Sequence, residues 1–219
     1  MSLPMIWFDF GGVLSPPLDD LFDHYHARTG ITPRRLKTAI GTVAAGLGVD
    51  DPLAPIELAM LSEPEWGRAL AAALETADPG IDLSRARFDR FGEQWFEGVR
   101  ANSVMVATAL HAKDHGYRIG ILSNNVVEWE PYWRAVVEPV GEVDCIVDSC
   151  RVGVRKPDPE IFRRAEKEAG LLAADCVLID DLAVNCESAR RTGWRAVHFR
   201  NNAQATRDLA GLTGLPALV

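Results

Sequence analysis

No apolar run in this chain approaches the roughly 20 residues needed to cross a bilayer. No basic segment followed by a long apolar one opens it, so no secretory leader is expected. The cysteines, Cys145, Cys150, Cys176 and Cys186, form no C-x-x-C pair and no zinc spacing, which argues against the common structural zinc sites. Three of them sit in or beside apolar runs, so they are expected to be reduced core thiols of a cytoplasmic protein. Positive charge is also in short supply. Lys and Arg number 23 against 31 Asp and Glu, a formal net charge of -8. That excludes non-specific binding to nucleic acid or to an anionic membrane, while leaving room for a local basic pocket that takes a small anion. Internal repeats and low-complexity tracts are absent as well.

What remains is the balance of an ordinary globular protein, with 47% hydrophobic and 25% charged residues over 219 positions. The length suits one core with a modest insertion. From residue 100 onward, short apolar runs recur at Tyr117–Leu122, Val143–Val147, Cys176–Ile179 and Ala196–Phe199. Each fits a buried parallel strand, and Met5–Asp9 supplies another. Helical patterns lie between them. Asp158-Pro159 offers an N-cap with Pro at the first helical position, Gly170 offers a stop, and a further helix from Leu182 ends at Gly193. This alternation predicts an α/β fold, a Rossmann-like parallel sheet with helices on both faces.

Residues 16–98 show no strand pattern. Thr32-Pro33 is a cap with Pro at N1, and Ser62 to Glu65 fits a capping box. Ser84 is expected to open a helix toward Trp95, and Trp66 and Trp95 are expected in a local core. The expected domains are therefore a core of residues 1–15 and 99–219 and an inserted all-helical cap of residues 16–98.

Ligands of parallel α/β sheets bind outside the carboxyl ends of the strands. Here those ends carry Asp9, Ser123-Asn124 and Asp180-Asp181, and the loop "GVRKPDPEIF" carries Lys156. Adjacent carboxylates repel unless a cation sits near them, so Asp9 with one of the pair suits Mg²⁺. Lys156 and Ser123 suit a phosphate, and Gly11 and Gly12 would let backbone N–H groups approach it.

Four motifs in order, "FDFGGVL", "LSNN", "GVRKPDPEIF" and "LIDDLAVNCESA", resemble those of the haloacid dehalogenase superfamily over nearly the whole chain. The branch that fits has a small helical cap and contains sugar-phosphate phosphatases and the N-terminal phosphatase domain of soluble epoxide hydrolases. The resemblance implies a Mg²⁺-dependent phosphatase acting on a small phosphorylated metabolite. It makes Asp9 the nucleophile and a metal ligand, and Gly11 a ligand through its carbonyl. Ser123, Asn124 and Lys156 become phosphate-binding groups. Asp181 becomes the direct metal ligand, with Asp180 beside it or acting through water, and Asn185 orients the pair.

One group is missing. Phosphatases of this superfamily carry a second Asp two residues after the nucleophile, to protonate the leaving alcohol, and here that residue is Gly11. Three readings follow: a phosphatase whose acid comes from elsewhere or whose leaving group needs none, a non-catalytic phosphoryl- or protein-binding relative, and a 2-haloacid dehalogenase. The acidic pair counts against the last, because those relatives work without metal. The cap residues Asp19, Asp20, His24 and Arg28 are the candidates for contacting substrate or replacing the acid. His24 and Arg28 share a helix face.

Overall fold

The computed structural model describes residues 4–216. After β1 (Met5–Phe8) the chain enters five helices, α1 (Leu18–Thr29), α2 (Pro33–Gly46), α3 (Ala54–Glu57), α4 (Glu63–Ala77) and α5 (Phe91–Phe96). It then runs through α6 (Ser103–Asp114), β2 (Arg118–Ser123), α7 (Glu130–Val137), β3 (Cys145–Asp148) and α8 (Ser149–Val152). It finishes with α9 (Pro159–Ala169), β4 (Cys176–Asp180), α10 (Ala183–Arg191), β5 (Arg195–His198) and α11 (Asn202–Thr213).

The five strands form one parallel sheet in the order β3-β2-β1-β4-β5. Every residue of β1 and of β4 is buried, which is why both read as unbroken apolar runs. Trp7, Leu122 and Leu178 pack with Phe162 and Ala165 of α9, Cys186 of α10, and Trp194 on one face. By alternation Ile6 and Phe8 point to the other face, where α6 lies on β2 and α11 on β5. The strand order reverses at β1, the position at which α/β sheets open a crevice. Register places Phe8 opposite Ile121 on one side and Ile179 on the other, so Asp9 leaves the sheet level with the ends of β2 and β4. Thr32 caps α2 and Asp158 caps α9 through their side chains, and Gly170 closes α9 in the left-handed conformation.

The chain divides into two compact units. One holds the residues up to Pro16, Arg100–Asn124 and those from Val136 onward; the other holds Pro17–Val99 and Asn125–Ala135. The second unit is helical. Its core is aromatic, with Phe22, Tyr25, Trp66, Phe91 and Trp95 in mutual ring contact. Residues 125–135 differ from expectation, which gave them to the sheet-bearing core. They cluster with the helices because Trp129 stacks on Phe91 at 5.8 Å and on Trp95 at 6.5 Å. The expected helix from Ser84 also needs correction, since regular α structure begins only at α5. Asp82 accepts the Ser84 N–H, and the Gln94 side chain bonds the backbone of both Arg85 and Arg87. Those backbone groups are thus held by side chains in place of a helical ladder.

Glu63 anchors the added segment. Its Oε1 accepts from Trp129 Nε1 at 2.7 Å and from the Gly92 N–H at 2.5 Å. Burial raises its pKa against those two hydrogen bonds. A raised folded-state pKa means stability is greatest at low pH and falls as pH rises through that pKa. Glu63→Ala is expected to cost about 1–3 kcal/mol by stranding two donors. Glu63→Gln, which keeps an acceptor, should cost less and flatten the pH dependence. Urea unfolding at several pH values measures both; equal losses would mean these bonds do not hold Trp129 in place.

Candidate active site

Asp9 ends β1 and is stitched to β4 by its own N–H, which donates to the Ile179 carbonyl at 2.9 Å. The residue is 7% exposed. Oδ1 accepts the Phe10 N–H at 2.7 Å and Lys156 Nζ at 2.9 Å. Lys156 is 1% exposed, and its ammonium also donates to Asp180 Oδ2 at 2.6 Å and to the Leu122 carbonyl at 2.9 Å. Three protons meet three acceptors, so the cation is saturated by β1, β2 and β4. Burial pulls its pKa down, but Asp180 and Asp9 more than offset this and hold it charged, above the ordinary lysine value.

The adjacent carboxylates are not equivalent. Asp180 is fully buried. Its Oδ1 accepts from the Leu182 N–H and from Asn185 Nδ2, each at 2.9 Å, and its Oδ2 takes Lys156 and Asn185. Asp181 is half-buried, and its backbone carbonyl accepts from His198 Nε2 at 3.0 Å. Its pKa is pushed up to about 6, by burial first and then by Asp180. Asp9 is pushed up to about 8 by burial, with Asp180 and Asp181 adding to this and Lys156 opposing it. One oxygen from each of Asp9, Asp180 and Asp181 lies within 4.8 Å of the others. All three donors are hard oxygens, and two of the groups are held above their usual pKa, so a divalent cation such as Mg²⁺ fits the set. Asp9 and Asp181 have oxygens to offer it; Asp180 is already engaged on both.

The turn after Asp9 is closed by the Ser15 N–H on the Phe10 carbonyl at 2.8 Å. Gly12 has φ +71°, and a Cβ there would overlap Oδ2 of Asp181. The glycine therefore gives Asp181 its place. Its N–H donates to Ser15 Oγ at 3.2 Å. Gly11 is different. Its φ of -64° and ψ of 123° suit any residue, and among the described residues a Cβ there would meet nothing within 4 Å. The missing side chain is a chemical gap, and the backbone did not demand it.

Ser123, 2% exposed, closes β2, and among the described residues its hydroxyl makes only a long contact, 3.4 Å, to the Asn124 carbonyl. The Asn124 amide is committed elsewhere. It donates to the Lys156 carbonyl at 3.0 Å and accepts the Lys156 N–H at 2.8 Å, so it straps the lysine loop to β2. Asn185 clamps Asp180. The cap candidates bond within the helical unit. Asp19 pairs with Lys37 at 2.5 Å. His24 Nε2 lies 2.8 Å from the Glu97 carbonyl, and its Nδ1 lies 3.0 Å from Arg28 Nη1. With the proton on Nε2 and the lone pair on Nδ1, both ring nitrogens are occupied, so His24 as seen has no proton to give. Asp20 is exposed. Sequence reasoning passed over Ser188, which donates to the Pro157 carbonyl at 2.6 Å, and over Ser15 and His198. The partners of Ser188 and His198 are backbone atoms on other elements, while Ser15 closes its own turn by accepting the Gly12 N–H.

Lys156→Met should cost about 3–5 kcal/mol, because it strands two buried carboxylates. Adding Asp180→Asn should recover part of that loss, so the two changes are expected to be non-additive by at least about 0.5 kcal/mol. Urea unfolding of the four proteins of this cycle is the measurement, and simple additivity would show that the pair is not coupled.

The comparisons with known proteins agree with this geometry. The pattern of haloacid dehalogenase-like hydrolases matches residues 5–193. Phosphatase MT3486 of Mycobacterium tuberculosis is 27% identical over 226 residues, 97% of this chain and 96% of that protein. Bifunctional epoxide hydrolase 2 of Sus scrofa is 28% identical over 123 residues, 54% of this chain but only 22% of that longer protein. Among solved structures, a haloacid dehalogenase family enzyme of Bacteroides thetaiotaomicron, in complex with magnesium and inorganic phosphate, superposes with TM-score 0.60 at 16% identity, over 90% of this chain and 93% of the other. The L-2-haloacid dehalogenase of Xanthobacter autotrophicus does so with TM-score 0.63 at 15% identity, over 98% and 84%. At such identities the two structures share the fold. The family match covers most of the chain, and the protein belongs to the haloacid dehalogenase-like hydrolases.

Proposed function

We propose that this hydrolase is a Mg²⁺-dependent phosphatase of a small phosphorylated metabolite, working through an aspartyl-phosphate on Asp9. The observation that carries the reading is the division of labour among the acidic groups. Lys156 and Asn185 hold Asp180, which leaves Asp9 and Asp181 to face a cation and Asp9 to face a substrate. A dehalogenase has no use for that open pair. The full-length similarity to a phosphatase, and a fold neighbour that holds magnesium and phosphate, point the same way.

Asp9 attacks phosphorus, the bond from phosphorus to the leaving oxygen breaks, and water later cleaves the acyl phosphate to release phosphate and free Asp9. Bound Mg²⁺ supplies charge neutralisation between the carboxylates and the phosphoryl oxygens. Lys156 opposes the protonation that burial favours at Asp9 and aims its carboxylate, and the Ser123 hydroxyl offers a hydrogen bond to a phosphoryl oxygen. The Gly11 carbonyl is the remaining cation ligand in this reading. The free cysteines suit a reducing cytoplasm, where Cys145, Cys150, Cys176 and Cys186 stay unpaired.

Cation binding displaces protons from Asp9 and Asp181, whose pKa values lie near 8 and 6. Mg²⁺ affinity measured by calorimetry should therefore rise between those pH values, and should collapse in Asp181→Ala. Affinity that is flat with pH and untouched by the substitution would remove Asp181 from the site.

With no acid at position 11, the leaving oxygen departs as its own acidity allows and takes its proton from water. Esters with good leaving groups, such as aryl, acyl and anomeric sugar phosphates, should react much faster than alkyl phosphates. Gly11→Asp has room and a permissive backbone. It should raise kcat/KM for alkyl phosphates most, by up to ~10²-fold. The measurement is kcat/KM for both proteins across leaving groups of graded pKa, with and without Mg²⁺. A wild type indifferent to leaving-group pKa while chemistry limits the rate already has a proton donor.

A further inference from the structure

The outer edge of the sheet carries a second feature that the chemistry above does not use. β5 has no strand beyond it. Its edge carbonyls are taken by side chains: Arg190 Nη2 donates to Ala196 at 2.9 Å, and Gln204 Nε2 donates to His198 at 3.0 Å. Gln204 is 6% exposed, and its Oε1 accepts the Arg200 N–H at 2.9 Å, which fixes the start of α11 against β5. Between the end of α10, β5 and α11 lies a cleft of about 530 Å³. That is within the size range of small-molecule sites.

The lining is basic in a chain that is acidic overall. Arg190, Arg200 and Arg207 line the cleft, with one carboxylate, Asp208. Asp208 accepts from Gln204 Nε2 at 2.6 Å and pairs with none of the three arginines. Among the described residues the guanidinium groups of Arg200 and Arg207 have no hydrogen-bond or ion-pair partner. Unpaired arginines around one cleft repel one another, and their rigid forks match phosphate oxygens two at a time. A surface that merely needed solubility would not gather them around one hollow in a protein with surplus carboxylates elsewhere.

We propose that this cleft is a binding site for a small di- or polyphosphate anion, separate from the Asp9 centre. Arg200 and Arg207 grip the phosphates, and Arg190 supplies charge from the opposite wall. His198 also lines the cleft, and its Nε2 holds the Asp181 carbonyl, so an anion bound there sits one residue away from the acidic cluster.

The test is a titration of the full-length, isotope-labelled protein with inorganic pyrophosphate, read by amide chemical shifts, against sodium chloride at matched ionic strength. Saturable shifts are expected on β5 and on α11 around Gln204, with no counterpart in chloride. The double change Arg200→Gln and Arg207→Gln should weaken those shifts at least tenfold while sparing any shifts around Gly12 and Asp181. Both arginines are exposed, and Arg207→Gln alone serves as the second variant. The proposal is overturned if β5 and α11 show no saturable shift, if chloride reproduces it, or if the arginine changes leave it intact.

Discussion

The ammonium of Lys156 is the interaction on which the rest of the structure depends. It lies inside the protein, with Asp9 on one side, Asp180 on the other and the Leu122 carbonyl completing its shell. An isolated charge could not stay there, and neither could either carboxylate. Together they fasten the ends of three strands, β1, β2 and β4, at the point where the strand order reverses. Everything nearby serves that arrangement. Asn124 straps the lysine loop to β2, Ser188 holds the next carbonyl from α10, and Asn185 closes the far side of Asp180.

This network also explains why two neighbouring aspartates have different fates. Asp180 has no free oxygen, and its part is to hold the lysine. Asp181 is turned toward the turn after β1, where only a glycine at position 12 leaves room for its carboxylate. The open acidic oxygens thus come from Asp9 and Asp181, which sit on elements the lysine has already locked. A divalent cation would complete the charge balance that a single ammonium leaves incomplete among three carboxylates.

The strand ends were legible because buried parallel strands read as short apolar runs, and a polar residue after such a run stands out. Asp9, Ser123 and Asp180 were all visible in this way, and so was the all-helical character of residues 16–98. What stayed hidden depended on partners distant in sequence. Nothing around Asn124 shows that both ends of its amide go to the backbone of Lys156. The helical spacing of His24 and Arg28 was right, but their common anchor, the Glu97 carbonyl, lies at the other end of the helical unit's sequence. Residues 125–135 were expected within the sheet-bearing core, but Trp129 lies against Phe91. The helix expected from Ser84 failed because the Gln94 side chain competes for the backbone there.

The central claim is that Asp9, poised by Lys156, is the nucleophile that accepts the phosphoryl group. It is tested most directly by rapid acid quench of the protein turning over acetyl phosphate with Mg²⁺, followed by peptide mass analysis. The account predicts one phosphoryl group on the peptide that contains Asp9, forming and decaying fast enough to carry turnover, and absent from Asp9→Asn. Phosphate release that proceeds with no such adduct, and at undiminished rate in Asp9→Asn, would contradict it.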